Sequence, residues 1–358
     1  MAISSISFAT TLMFLQLGIL RAIQRSASLL YDNFNFDIVL VSPRSLDASF
    51  TVPFSRQRLY QAALEPQVSK IMPVYLSFGQ WRRLSTAQPR GIFMIGFDLQ
   101  DPIFSTLDVD ASLASLQQPD RVLFNRFSRP EFGDRYPGLQ AELRGRRIEV
   151  AELFELSNTL RADGMVILSD QNFARLHPGR SLDQINLGLI AVAPGTDVDE
   201  LVVRLRQRLP ATVSVLSRAE AIAADETYWI SNNSMGLIIS LQLVMAVLVG
   251  AVIIYQVLVA DVSERLSEYG VLKAMGFSNR QICFWVLQQA WLLSVLGAVP
   301  GVAISAGLYQ IIWLATRLPI VMTGGQMLVV LSLNFSMCSV SGYLAARKVL
   351  TKEPADVF

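Results

Sequence analysis

Hydrophobic residues occur along this chain in long uninterrupted runs that flank one long stretch of mixed polarity. Three internal runs contain no Asp, Glu, Lys or Arg: Met235 to Ala260, Gln281 to Thr316 and Leu318 to Ala346. A fourth run extends from Met1 to Leu20. A helix needs roughly 20 apolar residues to cross the ~30 Å hydrocarbon core of a bilayer. The pattern therefore predicts four transmembrane helices.

Local signals refine the ends of these spans. The third span is predicted at about residues 282–308, with a kink at Pro300 and Gly301, and the fourth at about 327–346. The first run lacks the basic start and the A-x-A-like end of a cleaved signal peptide, so it predicts an uncleaved span. Because no cytoplasmic flank precedes that span, we expect the true start of the protein to lie upstream of Met1.

The polar stretch predicts a mixed domain. Residues 32–222 alternate short β-branched runs with amphipathic helical runs, which is typical of α/β or α+β domains. Residues 92–159 are richer in Asp, Arg and Pro, and we expect them to form an inserted subdomain with strands near 92–95, 122–124 and 147–150. The predicted fold is an α-helical membrane protein with four transmembrane helices and a large α+β domain between helices 1 and 2.

The other elements of the domain are assigned by their end signals. We predict strands at 37–41, 165–168, 187–192 and 212–216, and helices at 55–64, 170–176 and 198–209, with Ser55, Asp170 and Asp197 as their N-caps. The order strand, helix, strand, helix, strand from residue 165 onward predicts a compact βαβ-type unit.

The chain is thus predicted to contain seven segments. They are 1–31 (transmembrane helix 1 and stalk), 32–222 (the α+β domain), 223–260 (stalk and transmembrane helix 2), 261–280 (a cytoplasmic segment), 281–316 (transmembrane helix 3), 317–346 (external loop and transmembrane helix 4) and 347–358 (a cytoplasmic tail).

Basic residues in the short loops predict the orientation, because cytoplasmic loops carry an excess of Lys and Arg. Residues 261–280 and the tail each contain three basic residues, whereas the loop between spans three and four contains only Arg317. The segment and the tail are therefore expected in the cytoplasm. The domain 32–222 is then expected outside, in the periplasm of a two-membrane bacterium or the equivalent space, and the protein is expected to be a multi-pass protein of the bacterial inner (plasma) membrane.

Composition narrows the class of function. The 30 Lys and Arg against 29 Asp and Glu leave a net charge of +1, so no basic excess supports binding of nucleic acid. No ionisable residue lies within a predicted span, which disfavours an ion-coupled carrier. None of the four lysines lies in a G-x-x-x-x-G-K-[ST] loop, so this chain is not expected to hydrolyse ATP.

Catalytic and metal chemistry also lack support. His177 is the only histidine, and its polar Leu-His-Pro-Gly context predicts a surface loop residue rather than a zinc ligand or a member of a triad. Cys283 and Cys338 both fall in apolar runs, where a free cysteine behaves as a small hydrophobic residue. We predict a non-catalytic chain without a metal or cofactor of its own.

Small residues at helix-packing spacing occur within the last two spans. Gly297 and Gly301 are four residues apart, as are Gly342 and Ala346. Such pairs let two helices approach closely. Ordinary packing within one chain is the favoured interpretation, and a subunit interface is the alternative.

Residues 261–280 predict a helix, turn, helix bend at the membrane surface. Gly276 is a candidate helix stop and Ser278 a candidate N-cap of the next helix. Leu266, Tyr269, Leu272, Met275 and Phe277 would let such an element dock into a partner. An amphipathic helix lying on the lipid interface is an equally open interpretation of the composition.

The run from Glu264 to Phe277, placed between two spans, resembles the coupling segment of FtsX/MacB-type ABC permeases. The resemblance narrows to the DevC-type permeases of cyanobacterial exporters. It covers the length of the chain and rests on Phe14–Gly18, Ile95–Asp98, Phe124–Gly133, Tyr255–Gln256, Lys273–Gly276, Pro300–Gly301, Met337–Cys338, Ser341–Gly342 and Glu353–Phe358.

The resemblance implies a permease subunit that works as a homodimer in the lipid bilayer. Its partners would be a separate ABC ATPase that binds ATP and Mg, a periplasmic membrane-fusion adaptor and an outer-membrane TolC-like channel. Its external domain would be MacB-like, with a porter-type βαβ core. The residues expected to contact the ATPase are Glu264, Arg265, Glu268, Tyr269, Lys273, Ala274, Met275, Gly276 and Phe277.

The implied activity is export of an amphiphilic, glycolipid-like substrate by mechanotransmission, in which ATP-driven motion is passed to the external domains. Two alternatives share the architecture: an FtsX-like scaffold that controls cell-wall hydrolases, and a lipoprotein-releasing permease. The 214 residues between spans one and two are the length of an exporter domain rather than of a small hydrolase-docking lobe.

Overall fold

The computed structural model describes residues 2–84, 88–101, 103–104, 112–157, 162–232 and 234–350. They form two compact units. The first, which we call the membrane unit, consists of residues up to Ala22, Ser234–Ala315 and the described residues from Ile320 onward. The second, the α/β domain, consists of Ile23–Asn233, apart from its undescribed residues, and Thr316–Pro319.

The helices and strands of the described residues are numbered in chain order. The helices are α1 (Ala2–Asn33), α2 (Gln57–Ala62), α3 (Leu113–Leu116), α4 (Asp170–Leu176), α5 (Val198–Arg208), α6 (Arg218–Thr227), α7 (Ser234–Glu264), α8 (Leu266–Ala274), α9 (Asn279–Thr316) and α10 (Gly324–Leu350). The strands are β1 (Ile38–Val41), β2 (Phe54–Ser55), β3 (Val68–Arg83), β4 (Arg90–Phe97), β5 (Arg121–Asn125), β6 (Gln140–Leu143), β7 (Arg146–Phe154), β8 (Met165–Ser169), β9 (Gln184–Ile185), β10 (Leu187–Val192) and β11 (Ser214–Ser217).

Four helices are long and apolar enough to cross a membrane: α1, α7, α9 and α10. The prediction of four spans and of a large mixed domain is therefore confirmed. Two of these helices run well past the predicted ends of their spans. α9 continues through Pro300 to Thr316, and α1 continues past Arg21 to Asn33. The far end of α1 is held because Leu30 and Tyr31 are buried in the α/β domain.

The core of the membrane unit is formed by one face of each long helix. Small and aliphatic side chains meet there, and the most deeply buried are Ile6, Ala9, Met13, Phe14, Ile254, Leu258, Val262, Val286, Ala290, Val330, Cys338, Ala345 and Ala346. α7 is the most exposed of the four, since only 17% of its most apolar window is buried. Water would solvate such an apolar helix poorly, so its exposed surface fits a membrane environment or contact with another helix.

The α/β domain is built on one nine-stranded sheet. Its strand order is β11-β1-β10-β3-β4-β8-β5-β7-β6, and β2 and β9 form a separate two-stranded ladder. Residues 92–159, which we expected to form an inserted subdomain, contribute most of β4 and all of β5, β6 and β7 to this same sheet. β4 pairs with both β3 and β8, and β5 pairs with β8, so the segment supplies a central strand and one end of the same sheet.

The expected βαβ arrangement is present in an open form. β10 and β11 are joined by α5, and each pairs antiparallel with β1, which lies between them. β10 and β11 therefore run parallel without touching. β8 belongs to another part of the sheet, since β3 and β4 separate it from β10. Sequence order alone does not reveal such intervening strands.

Both faces of the sheet are buried, and the strands alternate between the two cores. In β1, Ile38 and Leu40 point into one core and Val39 and Val41 into the other, as the period of two in a strand requires. α2, α4 and α5 cover the first face through Leu59, Phe173, Leu201 and Leu205. The end of α1 and α6 cover the second.

The sequence predicted three helix N-caps in this domain. The structure confirms one of them and corrects the other two. The carboxylate of Asp197 accepts the amides of Asp199 and Glu200, at 3.0 and 3.1 Å. The hydroxyl of Ser169, rather than the side chain of Asp170, caps α4 by accepting the amide of Asn172. The prediction of Ser55 as N-cap is wrong, because Ser55 lies in β2 and pairs with β9, so α2 begins only at Gln57.

The structure also corrects the prediction for His177. Its side chain is not on the surface: the residue is 7% exposed and its ring stacks on Phe173 at a centroid distance of 4.2 Å. Nδ1 lies 2.9 Å from the carbonyl of Phe173, and Nε2 lies 3.0 Å from the hydroxyl of Ser77. Burial lowers the pKa of this imidazole, so it packs as a neutral core residue.

A buried acidic group lies between α1, α6 and the loop after β1. Asp225 of α6 is 5% exposed, and its Oδ2 accepts the amide of Ala48 at 2.9 Å. Burial, together with the neighbouring charge of Asp47, raises the pKa of Asp225 to about 8. Burial and the same two carboxylates raise the pKa of Tyr31 on α1 well above its usual range.

The raised pKa of Asp225 predicts that the free energy of unfolding falls as the pH rises. Between the ordinary value of 3.8 and about 8, the folded chain keeps a proton on Asp225 that the unfolded chain has released. Stability from this group is therefore present at low pH and lost as the pH rises through about 8. Asp225→Asn should flatten the dependence of the unfolding midpoint on pH. A matched change of its neighbour, Glu226→Gln, should leave the slope unchanged, and an unchanged slope in Asp225→Asn would contradict the assignment.

Candidate functional site

The strongest candidate site is the segment that joins the end of α7 to the start of α9, which we call the coupling segment (residues 261–280). α7 ends at Glu264, and α8 forms the middle of the segment. Gly276 adopts φ +95°, the left-handed conformation that stops a helix. The amide of Gly276 donates to the carbonyl of Lys273 at 3.1 Å, and that of Phe277 to the carbonyl of Leu272 at 3.2 Å. These two bonds define a Schellman motif.

The next helix begins with a reciprocal cap at Ser278, the N-cap that the sequence predicts. The hydroxyl of Ser278 accepts the amide of Gln281 at 3.4 Å, and the Gln281 side chain accepts the amide of Ser278 at 2.9 Å. The stop at Gly276 and this cap together fix a sharp bend between α8 and α9.

Several predicted contact residues are exposed on the coupling segment. Met275 is 63% exposed, and Val271, which we did not single out, is 48% exposed. Glu264, Arg265 and Glu268 are exposed as well. Of these residues, Glu268 and Val271 lie on α8, and the others flank it, so the segment exposes both charged and apolar side chains. The structure gives the backbone of Ala274 but leaves its side chain undescribed.

Other predicted residues fasten the segment to the membrane helices instead of facing outward. Tyr269 and Phe277 are half-buried. The Phe277 ring packs on Trp285 of α9 at a centroid distance of 5.2 Å. The Tyr269 hydroxyl donates to Oε1 of Gln289 at 3.4 Å. Burial raises the pKa of Tyr269, so its hydroxyl stays a donor.

Gln289 and Asp261 complete this network, and the sequence did not single them out. The amide Nε2 of Gln289 donates to Oδ2 of Asp261 at the end of α7. Oδ1 of Asp261 lies 3.8 Å from Nε of Arg265. One glutamine thereby ties α9 to both α7 and α8. The available signal was a glutamine within an apolar span, which usually indicates an interhelical hydrogen bond.

Loss of the Gln289 amide should loosen α8. Gln289→Leu removes the acceptor for Tyr269 and the donor to Asp261, and each buried hydrogen bond stabilises by about 1 kcal/mol. We expect hydrogen exchange of the α8 amides to accelerate by about tenfold or more, measured on the whole protein by mass spectrometry. Gln288→Leu is the control, because Gln288 is exposed on the same helix. Equal exchange in both variants would show that the network does not hold α8.

The predicted helix-packing glycines lie against other helices of the membrane unit. A Cβ at Gly297 would come within 2.6 Å of the Ile6 side chain, and one at Gly301 within 2.8 Å of Thr10. The hydroxyl of Ser7 donates to the carbonyl of Gly297 at 2.9 Å. At these two glycines the backbone of α9 therefore contacts side chains of α1. This surface of α9 is covered by another helix of the same chain.

The second pair of small residues lies on α10. A Cβ at Gly342 would come within 2.9 Å of Ala290 on α9, and Ala346 is 1% exposed in the core of the membrane unit.

Among the described residues, no group of three or more His, Cys, Asp or Glu side chains is placed to hold a metal ion.

The fold defines a class: a multi-pass membrane protein with a large α/β domain between its first two candidate spans. Residues 240–354 match the family model described as FtsX-like permease C-terminal. Two curated relatives carry the name macrolide export ATP-binding/permease protein MacB. That of Marinobacter nauticus is 26% identical over 167 residues, covering 46% of this chain and 26% of the relative. That of Agrobacterium fabrum is 24% identical over 184 residues, covering 50% and 28%.

The prediction of an FtsX/MacB-like permease is therefore confirmed, while the narrower DevC-type assignment stays a prediction. The chain spans about a quarter of the length of the curated relatives it matches.

Two solved structures are similar to about half of the chain. The periplasmic region of MacB from Actinobacillus actinomycetemcomitans matches with a TM-score of 0.37 at 9% identity, covering 52% of this chain and 91% of that one. The extracellular domain of the noncanonic ABC-type transporter YknZ from Gram-positive bacteria matches with a TM-score of 0.34 at 12% identity, covering 51% and 100%.

Proposed function

We propose that this chain is the permease subunit of a tripartite ABC exporter in the bacterial inner membrane, with its α/β domain in the periplasm. A separate ATPase binds ATP and Mg and docks on the coupling segment. A periplasmic membrane-fusion adaptor and an outer-membrane TolC-like channel complete the assembly, and the permease works as a homodimer. The exported substrate is amphiphilic and glycolipid-like.

The observation that carries the proposal is the construction of the coupling segment. Its outward residues, Glu268 and Met275, are exposed, whereas Tyr269 is bonded to α9 and, through Gln289, to the end of α7. A push on α8 by a partner is therefore transmitted to two membrane helices at once. A loosely attached interfacial helix would not transmit such a push.

Continuous chain connections support the transmission of motion to the α/β domain. α1 is one unbroken helix whose first residues belong to the membrane unit and whose last residues, including Tyr31, are buried in the α/β domain. The last residue of α9 and the short connection that follows it, residues 316–319, group with the α/β domain. There the Arg317 guanidinium lies 5.3 Å from the centre of the Phe127 ring. Arg317 adopts φ +57°, a conformation that costs a non-glycine residue energy.

A pull-down of the tagged protein from native membranes in mild detergent, followed by mass spectrometry, tests the proposal. We expect an ATPase together with a fusion-type adaptor. The Glu268→Lys variant should lose the ATPase and keep the adaptor, because Glu268 lies on the coupling segment. An ATPase with a peptidoglycan hydrolase or its activator would instead establish the scaffold function, and a lipoprotein carrier would establish lipoprotein release.

A further inference from the structure

A small cavity lies where α9 begins and α10 ends. Its volume is about 230 Å³, and its lining residues are Asn279, Arg280, Cys283, Tyr343 and Arg347. Asn279, Arg280 and Cys283 belong to the first turns of α9, and Tyr343 and Arg347 to the last turns of α10. Asn279 and Arg280 stand at the very end of the coupling segment but are not among the residues expected to contact the ATPase, and none of the five takes part in the network around Gln289.

Two arginine side chains from different helices line the cavity without a counter-charge. In the part of the chain that the structure describes, Arg280 and Arg347 take part in no ion pair, and the lining contains no carboxylate. Two guanidinium groups that share one small cavity repel each other. An anion between them removes that repulsion and accepts hydrogen bonds from both. The planar guanidinium fork matches the oxygens of a phosphate group especially well.

The surroundings of the cavity are those of a membrane surface. α9 and α10 are both candidate spans, and the cavity lies at the ends of both. Phe284 and Leu344, which follow the lining residues Cys283 and Tyr343 in the sequence, are 48% and 45% exposed on the two candidate spans. Tyr343 is 51% exposed, and tyrosine is enriched at the level of lipid headgroups. A ligand that occupies this position has a charged head beside the arginines and apolar chains along the helices.

We propose that this cavity binds the phosphate of an anionic phospholipid, with Arg280 and Arg347 contacting the phosphate and the acyl chains lying against Phe284 and Leu344. Basic pockets between transmembrane helices on the cytoplasmic side are known to hold such headgroups, and the orientation proposed above puts the cavity in the cytoplasmic leaflet. The inference does not depend on which substrate the protein exports.

Native mass spectrometry of the detergent-purified full chain tests the site. The probes are phosphatidylglycerol, phosphatidylcholine and inorganic phosphate, each added separately and in competition. We expect the wild type to retain phosphatidylglycerol in preference to phosphatidylcholine. Arg280→Gln with Arg347→Gln should weaken retention roughly a hundredfold, at about tenfold for each charge-assisted hydrogen bond lost.

A second double variant is the matched control. Arg265→Gln with Lys273→Gln removes two positive charges from the same side of the membrane but outside the cavity. It should retain phosphatidylglycerol like the wild type. If both double variants lose phosphatidylglycerol equally, the lipid is attracted only by the overall positive charge of this side of the protein. That result would overturn the site. Displacement of the lipid by millimolar phosphate would identify a free-phosphate site instead.

The partner ATPase gives a third outcome that would overturn the inference. If Arg280→Gln with Arg347→Gln binds lipid normally but no longer captures the ATPase in the pull-down, the two arginines belong to the protein contact.

Tyr343→Phe separates packing from hydrogen bonding. It should weaken retention by less than the arginine changes, because the ring remains and only one hydroxyl is lost.

Discussion

Replacing Glu268 by lysine is expected to abolish the coupling of ATP hydrolysis to export while the chain stays folded. Glu268 is exposed on α8, and among the described residues it forms neither a hydrogen bond nor an ion pair. The change therefore costs little stability, as surface changes usually alter it by no more than about 0.5 kcal/mol. A partner surface that binds the Glu268 carboxylate carries complementary positive charge. A lysine at this position therefore introduces a like-charge repulsion of several kcal/mol.

The measurement compares export with the ATPase rate in reconstituted vesicles that contain the permease, its ATPase and the adaptor. Glu268→Lys should lower export by at least about a hundredfold, the effect of about 3 kcal/mol on complex formation. Asp199→Lys is the control, because Asp199 is an exposed acid on α5 of the α/β domain and the change in charge is identical. Normal export by Glu268→Lys would refute the assignment of the coupling segment.

The turn at Gly276 gives a separate test of the same assignment. Proline has φ near −65° and cannot adopt the +95° of Gly276, so Gly276→Pro must rebuild the turn that fixes the bend. No atom within 4 Å blocks a side chain here, so two backbone effects decide the outcome: the φ angle and the loss of the amide that donates to the carbonyl of Lys273. Gly276→Asn is the matched variant, because asparagine tolerates the left-handed region. We expect export to be lost in Gly276→Pro and largely kept in Gly276→Asn.

Local signals predicted the coupling segment well because its geometry is local. Gly276 as a helix stop and Ser278 as a cap depend on bonds between residues at most five apart in sequence, and both are confirmed. The hydrogen bonds of Gln289 join residues 20 and 28 apart. Helical periodicity cannot show which polar residue of a span turns inward to meet them, so that network emerged only from the structure.

The same distinction explains the results for the α/β domain. Strands such as β1, β8 and β10 followed from β-branched runs, whose pattern is local. Their order in the sheet depends on pairings across most of the domain, such as β1 with β10 and β11. His177 was misplaced for a related reason, because Phe173 and Ser77 bury it by contacts that its polar neighbours in sequence do not indicate.

Helix contacts within the membrane unit give the prediction with the largest effect on stability. Gly297→Leu is expected to prevent stable folding, because a Cβ alone would come within 2.7 Å of both Cβ and Cγ2 of Ile6, and Ile6 is 0% exposed. Ile6 is β-branched and packed on all sides, so it cannot move aside without opening the core. Even modest overpacking costs about 1–3 kcal/mol, and leucine adds three further carbons where the first does not fit.

Gly307→Leu on the same helix is the control for this change, because no atom lies within 4 Å of a Cβ at Gly307 and the residue is exposed. A leucine there faces lipid and should leave the protein intact. The measurement is the fraction of monodisperse protein after extraction in mild detergent, together with its unfolding midpoint. We expect Gly297→Leu to lose most folded protein and Gly307→Leu to match the wild type. If both variants behave alike, α9 is not held against α1 by this contact, and the glycine pair would then be free for a second subunit.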